Sequence, residues 1–225
     1  LDGAGLAGWS SDGRVLAASR TDWMGASAFG WTDFLVDPLT LRVQEVGSYY
    51  SRDANRRGWA AADEAYIYGA FRAEKDLGAA SRIAPSLLAA GQDGHTFVGI
   101  DTVEVSGMEE QVRVFCWNDQ RGERAKIADL RIGPLYGAVM PGLWAQLSPD
   151  SRWAVLTYFQ GEEFSVRLAR CDGTAQAEVL PDGAMQVGIF DYYQFSNDSR
   201  WLAGVLQQGE SSWFLRVHAI TETGA

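Results

Sequence analysis

Short apolar and polar runs alternate along the chain, broken at close intervals by Gly, Asp, Ser and Pro. The segment Arg152-Trp153-Ala154-Val155-Leu156-Thr157-Tyr158 is typical, with aromatic and β-branched residues at period two. That pattern predicts a strand with one buried face. Just before it stands Leu147-Ser148-Pro149-Asp150-Ser151, whose Asp, followed by a residue that tolerates a tight turn, predicts a hairpin corner. A short apolar strand therefore precedes each such Asp and a longer one follows it.

The unit recurs. Leu147 to Leu156 returns almost letter for letter as Phe195-Ser196-Asn197-Asp198-Ser199-Arg200-Trp201-Leu202-Ala203-Gly204. Trp9-Ser10-Ser11-Asp12-Gly13-Arg14-Val15-Leu16-Ala17 is a third copy, and Gly91-Gln92-Asp93-Gly94-His95-Thr96-Phe97 a degraded fourth. Trp59 to Tyr68 keeps only the aromatic residue, Asp63 and the apolar run after it. Beyond four of these corners a third strand closes in a polar turn: Phe34-Leu35-Val36-Asp37-Pro38, Val114 to Asp119, Val166 to Gly173, and Leu215 to Gly224. Each copy thus predicts a small antiparallel sheet.

The five aspartates stand 51, 30, 57 and 48 residues apart, 186 residues over four intervals, a mean of 46.5. A period of about 40 to 50 with four strands per unit is that of propeller blades. The phrases Ser148-Pro149-Asp150-Ser151-Arg152-Trp153 and Trp9-Ser10-Ser11-Asp12-Gly13-Arg14 resemble the WD40-like (PD40) repeats of the TolB type. The resemblance implies an all-β propeller of about five four-stranded blades, within bounds of four to six, and it speaks to fold only. Approximate blades are 1–47, 48–84, 85–130, 131–180 and 181–225, in a single domain over 1–225. The second interval barely holds four strands, so Asp63 heads either an incomplete blade or a chance match. Leu1 to Gly5 reads as the tail of a fourth strand, and Thr221 to Ala225 as the turn out of a third. Either the ends meet to close a ring or the chain is one segment of a larger propeller.

Composition sets bounds. The 225 residues are 47% hydrophobic and 12% aromatic, enough for a full core, and 25 glycines suit many turns. No apolar run approaches the roughly 20 residues of a membrane helix, so the expectation is a soluble protein, periplasmic or cytoplasmic. A net charge of -10 disfavours nucleic acid, which needs a basic face. The clusters Arg52, Arg56, Arg57 and Arg121, Arg124, Lys126 read as solvated loop charges. Cys116 and Cys171 fall 23 and 21 residues past their corners in neighbouring blades, where equivalent points lie beyond bridging distance. Two buried free thiols are expected.

Candidate chemistry is sparse. Gly3-Ala4-Gly5-Leu6-Ala7-Gly8 fits a dinucleotide fingerprint but runs into a hairpin where that motif must open a helix. Glu104, Glu109, Glu110, Glu162 and Glu163 read as solvated loop acids without metal-ligand spacing. His95 reads as an exposed turn residue and His218 as part of the last strand. No zinc spacing, no G-x-S-x-G elbow and no sialidase Asp box occurs, so neither metal nor cofactor is expected. A five-bladed glycosidase needs a carboxylate pair on the central pocket, and Asp191 alone qualifies.

Connections between strands two and three, and between successive blades, emerge on the face opposite the Asp corners. Those connections carry the aromatics. Thr21 to Thr32 is read as a loop bearing Trp23 and Trp31, as a contact surface if exposed or a plug if tucked down. Arg131 to Leu143 carries Tyr136 and leads to Trp144, and Pro181 to Tyr192 carries Phe190. Variable loops on a rigid frame are where function concentrates. The reading is a non-catalytic binding or scaffold module for a protein partner, alone or as a subunit of a larger assembly, with Trp23, Trp31, Tyr136, Trp144 and Phe190 as anchors. The competing readings are a five-bladed glycosidase or the substrate-gating propeller of a hydrolase.

Overall fold

The computed structural model describes residues 4–10, 12–23, 29–50, 59–61, 65–68, 71–82, 87–106, 109–133, 143–160, 163–179, 193–208 and 212–221. All regular structure in them is β, in five antiparallel sheets. Blade 1 is β1 (Ala4–Trp9), β2 (Leu16–Trp23), β3 (Phe29–Asp37) and β4 (Arg42–Tyr50). Blade 2 is β5 (Trp59–Ala61), β6 (Ala65–Tyr68), β7 (Phe71–Glu74) and β8 (Ala80–Arg82). Blade 3 is β9 (Leu87–Ala90), β10 (Thr96–Ser106), β11 (Glu109–Asn118) and β12 (Glu123–Ile132). Blade 4 is β13 (Leu143–Leu147), β14 (Trp153–Gln160), β15 (Glu163–Arg170) and β16 (Gln176–Glu178). Blade 5 is β17 (Tyr193–Phe195), β18 (Trp201–Gln208) and β19 (Ser212–Ala219). Strands follow one another in each sheet in chain order, the meander expected of a blade.

Three expectations change. Asp63 lies outside the described residues, but the sheet around it has all four strands, made possible by lengths of three or four residues each. The connection between strands two and three is shorter than its sequence suggests, because the ladder continues through polar residues. In blade 1 Trp23 pairs with Phe29 and Thr21 with Trp31, so both tryptophans belong to strands. In blade 3 Glu104, Glu109 and Glu110 are strand residues, and in blade 4 Glu163 opens β15. Lastly, Ala4 and Gly5 are not a fourth strand; they pair with Arg20 and Ser19 as the start of β1.

The cores lie between blades, because each sheet is apolar on both faces. Val15, Ala17, Leu35 and Val46 of blade 1 meet Tyr66, Ala73 and Leu77 of blade 2. Val112, Val114, Ile127 and Leu130 of blade 3 meet Leu147, Ala154, Leu156 and Tyr158 of blade 4. Trp153, Val155, Val166 and Leu168 of blade 4 meet Tyr193, Phe195 and Leu202 of blade 5. Leu156, Leu168 and Leu202 are fully buried, each contributing about 1.5–3 kcal/mol of transfer free energy. Alternation along β14 feeds both interfaces, Leu156 on one side and Val155 on the other.

Candidate functional site

The corners share one hydrogen-bond design. In blade 1 the Ser10 hydroxyl donates to Asp12 Oδ1 at 2.6 Å and accepts the Val15 N–H at 3.0 Å, while the Arg14 N–H reaches the same carboxylate oxygen at 3.1 Å. Blade 4 repeats it with Ser148, Asp150, Arg152 and Trp153, and blade 5 with Ser196, Asp198, Arg200 and Trp201. The aspartate thus takes the N–H two residues on, not the next one. That next N–H, on Gly13, Ser151 or Ser199, bonds the corner serine's carbonyl. Gly13, Gly94, Ser151 and Ser199 all sit at φ between 58° and 71°, the left-handed turn the frame requires. Asp12 and Asp198 are held below the usual carboxylate range. At Asp12 burial works upward but is outweighed by bonds from Ser10, Arg14, Tyr66 and Lys75. At Asp198 the Ser196 hydroxyl and the Arg200 N–H act almost unopposed.

Successive corners are joined to the neighbouring blade, so the described ones lie on one face. Asp12 Oδ2 of blade 1 accepts the Tyr66 hydroxyl at 3.1 Å and Lys75 Nζ at 3.3 Å, both from blade 2. Arg72 of blade 2 donates to the Gly94 carbonyl at 2.9 Å and to Asp119 Oδ2 at 2.7 Å in blade 3. Asp119 also holds His95 Nδ1 at 2.9 Å, so His95 is tied into a network and is not a bare turn residue. Ser199 Oγ of blade 5 accepts the Asp150 N–H of blade 4 at 3.0 Å. Between blades 3 and 4, a Cβ at Gly91 would collide with Ser151 Oγ, which explains glycine where the other corners carry serine. Serine at Ser151 and Ser199 therefore has a reason that glycine cannot supply: its hydroxyl reaches the preceding blade.

Blades 3 and 4 also share a covalent link. Cys116 and Cys171 form a disulfide with Cα atoms 5.2 Å apart, correcting the expectation of free thiols. The two are not at equivalent points: Cys116 lies within β11, whereas Cys171 lies past the end of β15, in a turn that leans onto blade 3. The Cys171 N–H bonds the Arg152 carbonyl, and Gly173 in the same turn abuts the Lys126 carbonyl. Beside the bridge opens a groove of about 740 Å3, lined by Trp117, Arg121, Arg124, Arg152, Arg170, Asp150 and Asp172 among others. Its cations are matched by anions: Arg170 with Asp172 at 3.0 Å, Arg121 with Glu123 at 3.9 Å, and Arg124 with Asp101 at 2.6 Å. Arg124 and Lys126, expected on a loop, lie on β12, where Lys126 pairs with Asp129 at 2.6 Å. Such a surface is amphoteric and not a phosphate cradle.

The opposite strand ends carry the predicted aromatics. β2 leaves its corner at Leu16 and ends at Trp23, and β3 returns through Trp31. β13 enters from that same end, with Trp144 at its second position, half-buried and paired with Thr157. Trp23, Trp31 and Trp144 therefore share the end of their sheets opposite the corners. Tyr136, Phe190 and Asp191 lie outside the described residues.

No protein-family model and no curated protein sequence matches the chain. Solved structures do. The β-propeller domain of the Trilobed protease from Pyrococcus furiosus matches 99% of this chain and 72% of its own length, with a TM-score of 0.55 and 14% identity. The fold is a TolB-like β-propeller. A TolB structure from Agrobacterium tumefaciens matches 96% of this chain and 76% of its own, at a TM-score of 0.51 and 10% identity. An acylaminoacyl peptidase matches 99% of this chain at a TM-score of 0.51 and 13% identity, and the chain spans 39% of its length. TolB, a protease and a peptidase alike thus carry such a propeller, and identities this low transfer no residue role.

The TolB-like frame also holds residues that the sequence reading passed over. Asp33 on β3 is fully buried and lies opposite Ser19 on β2, on the side that alternation directs toward blade 2. A lone Asp before Phe34-Leu35-Val36 is the signal that was available. Tyr193 on β17 is buried, which pushes its phenol up to about 12, and its hydroxyl has no hydrogen-bond partner among the described residues. Tyr66, Arg72 and Asp119, the cross-blade partners, carry no motif; only the packing of neighbouring sheets brings them to the corners. Among the described residues no group of three or more His, Cys, Asp or Glu is placed to hold a metal ion, and no helix is long and apolar enough to cross a membrane.

Proposed function

We propose that this TolB-like propeller is a non-catalytic binding module that docks a protein partner on the end of its blades opposite the corners. The observation that supports this is the shared placement of Trp23, Trp31 and Trp144 at those strand ends. Tyr136 and Phe190 lie outside the described residues, and their place in the sequence, in the connections leading to blades 4 and 5, is the ground for adding them to the proposed surface. Aromatic anchors on a rigid frame are what protein interfaces use, since large side chains there lose little entropy on docking. The corner end, by contrast, spends its polar groups on links between blades. The net charge of -10 fits a partner with a basic face. The Cys116–Cys171 bridge fits residence in an oxidising compartment such as the periplasm.

The test is site-specific photo-crosslinking in the native host. A benzophenone residue at Trp23, Trp31 or Phe190 is expected to capture a second protein, whereas one at the corner-side positions Thr40 or Gln120 is not. Capture from the corner side alone overturns the assignment. The enzymatic alternative is addressed by Asp191→Asn: a glycosidase built on that carboxylate loses hydrolysis of its glycoside, and a binding module keeps its crosslinks unchanged.

A further inference from the structure

Cys116 and Cys171 are unequal partners. Cys116 is 3% exposed and packs between blades 3 and 4 with Val114, Leu130 and Ala169. Cys171 is only partly buried, in the turn between β15 and β16. That turn holds its shape on bonds of its own. The Arg170 N–H reaches the Ala175 carbonyl at 2.8 Å, and the Gly173 N–H reaches the Arg170 carbonyl at 2.9 Å. Asp172 Oδ1 accepts the Thr174 N–H at 2.9 Å and the Thr174 hydroxyl at 2.6 Å. None of these bonds crosses to blade 3, whereas the disulfide does.

The two sheets have a stronger hold on each other than the bridge supplies. Val112, Val114 and Leu156 are fully buried in the core they share, and each such side chain contributes about 1.5–3 kcal/mol. Breaking the S–S bond therefore parts the turn from β11 and leaves the blades together. The bridge also meets water. Both cysteines line the groove of about 740 Å3 at the corner end, where Arg152 and Arg170 belong to its blade 4 side. A bridge with one partner in an open groove is within reach of a thiolate, and access is what separates exchangeable disulfides from inert ones.

We propose that the Cys116–Cys171 bridge is a reducible clasp on this groove, opened in the folded protein by a dithiol reductant. One thiolate of the dithiol attacks Sγ of Cys171, the more exposed partner. The Cys116–Cys171 bond breaks with its electron pair on Cys116 Sγ, which takes up a proton. The second thiolate of the dithiol then attacks the mixed disulfide, and Cys171 leaves with the electron pair and takes up the other proton. The dithiol ends as a disulfide and the chain as two thiols. The freed turn 171–174 loses its covalent tie to β11, and the groove that it walls widens. The clasp lies at the corner end and stands apart from the aromatic docking surface above.

Dithiothreitol and glutathione disulfide are the probes. Thiols released in the oxidised wild type are trapped with iodoacetamide and counted by mass, at urea concentrations below the unfolding transition. The expected rate is proportional to dithiothreitol and flat in urea. A rate that climbs with the first additions of urea, or no reduction before the transition, overturns the proposal. Single variants test the direction of attack. Cys171 in Cys116→Ser is expected to take up glutathione at least about tenfold faster than Cys116 in Cys171→Ser, and equal or reversed rates overturn it. Hydrogen exchange in the reduced wild type reads the consequence: amides of the 171–174 turn are expected to exchange at least about tenfold faster, with β11 and β14 unchanged. An unchanged turn, or faster exchange throughout both blades, makes the bridge a brace and overturns the clasp.

Discussion

Ser148 and Ser196 occupy the same place in the repeat and make the same bonds, yet their removal has different consequences. The Ser148 hydroxyl, fully buried, accepts the Trp153 N–H at 2.9 Å and donates to Asp150 at 2.6 Å. Trp153 is 4% exposed, so Ser148→Ala leaves a buried N–H that water does not reach. An orphaned buried donor costs about 1–3 kcal/mol, and the partly exposed bond to Asp150 adds little, so the expected loss is about 2 kcal/mol. For a chain of this size that lowers the melting temperature by about 4–8 °C. At Ser196 the acceptor bond is the same, 3.0 Å to the Trp201 N–H, but Trp201 is 48% exposed. Water replaces the hydroxyl there, and Ser196→Ala costs less than half as much. Thermal and urea unfolding followed by circular dichroism, both variants at one protein concentration, measure the difference. Equal losses at the two corners refute the argument that burial, and not the motif, sets the worth of the bond.

Four further outcomes follow from the same geometry. Cys116→Ser releases a 55-residue loop and is expected to cost up to about 4 kcal/mol by chain entropy, read from urea midpoints; two reactive thiols in the unfolded, oxidised wild type would contradict the bridge. Gly91→Ala pushes a methyl into Ser151 Oγ and costs about 1–3 kcal/mol, and adding Ser151→Gly, which suits its φ of 58°, is expected to restore most of the loss. Tyr193→Phe removes a buried hydroxyl that has no partner among the described residues, so stability is expected to hold or rise; a drop above about 1 kcal/mol means the hydroxyl is bonded. Asp12, Asp93, Asp119 and Asp198 are all held below their unfolded values, so their contribution is complete above about pH 4 and is lost as pH falls further. Burial, with Arg216 nearby, lowers His218, whose neutral form the fold prefers. A smaller loss therefore begins below about pH 6.5 in urea midpoints and is absent in His218→Gln.

The corners were legible because their bonds are local. Ser, Asp and Gly or Ser within four residues dictate a turn whatever surrounds them, and the repeat multiplied that signal into a fold. Strand ends were less legible. Polar residues such as Glu104 and Glu109 look like loop in a row of letters, but the backbone ladder runs on through them. The Cys116–Cys171 bridge was out of reach, because it depends on how far the turn after β15 leans across to β11. Cross-blade partners such as Tyr66 and Arg72 are set by the packing of whole sheets. For the candidate site, the end of the sheets opposite the corners was legible for Trp23, Trp31 and Trp144, while Tyr136 and Phe190 lie outside the described residues. The sequence left the lengths of the connections open, and so placed Trp23 and Trp31 on a loop where the ladder makes them strand.

The central claim is that blades follow one another around an axis with their aspartate corners on a common face. Lys75 and Lys126 are the only lysines, and Lys75 Nζ lies 3.3 Å from Asp12 Oδ2, across 63 residues of sequence and two blades. Zero-length carbodiimide coupling followed by peptide mass spectrometry is expected to join Lys75 to Asp12. Coupling of Lys75 instead to Glu163, which opens β15 at the end of its sheet opposite the corner, would contradict the arrangement.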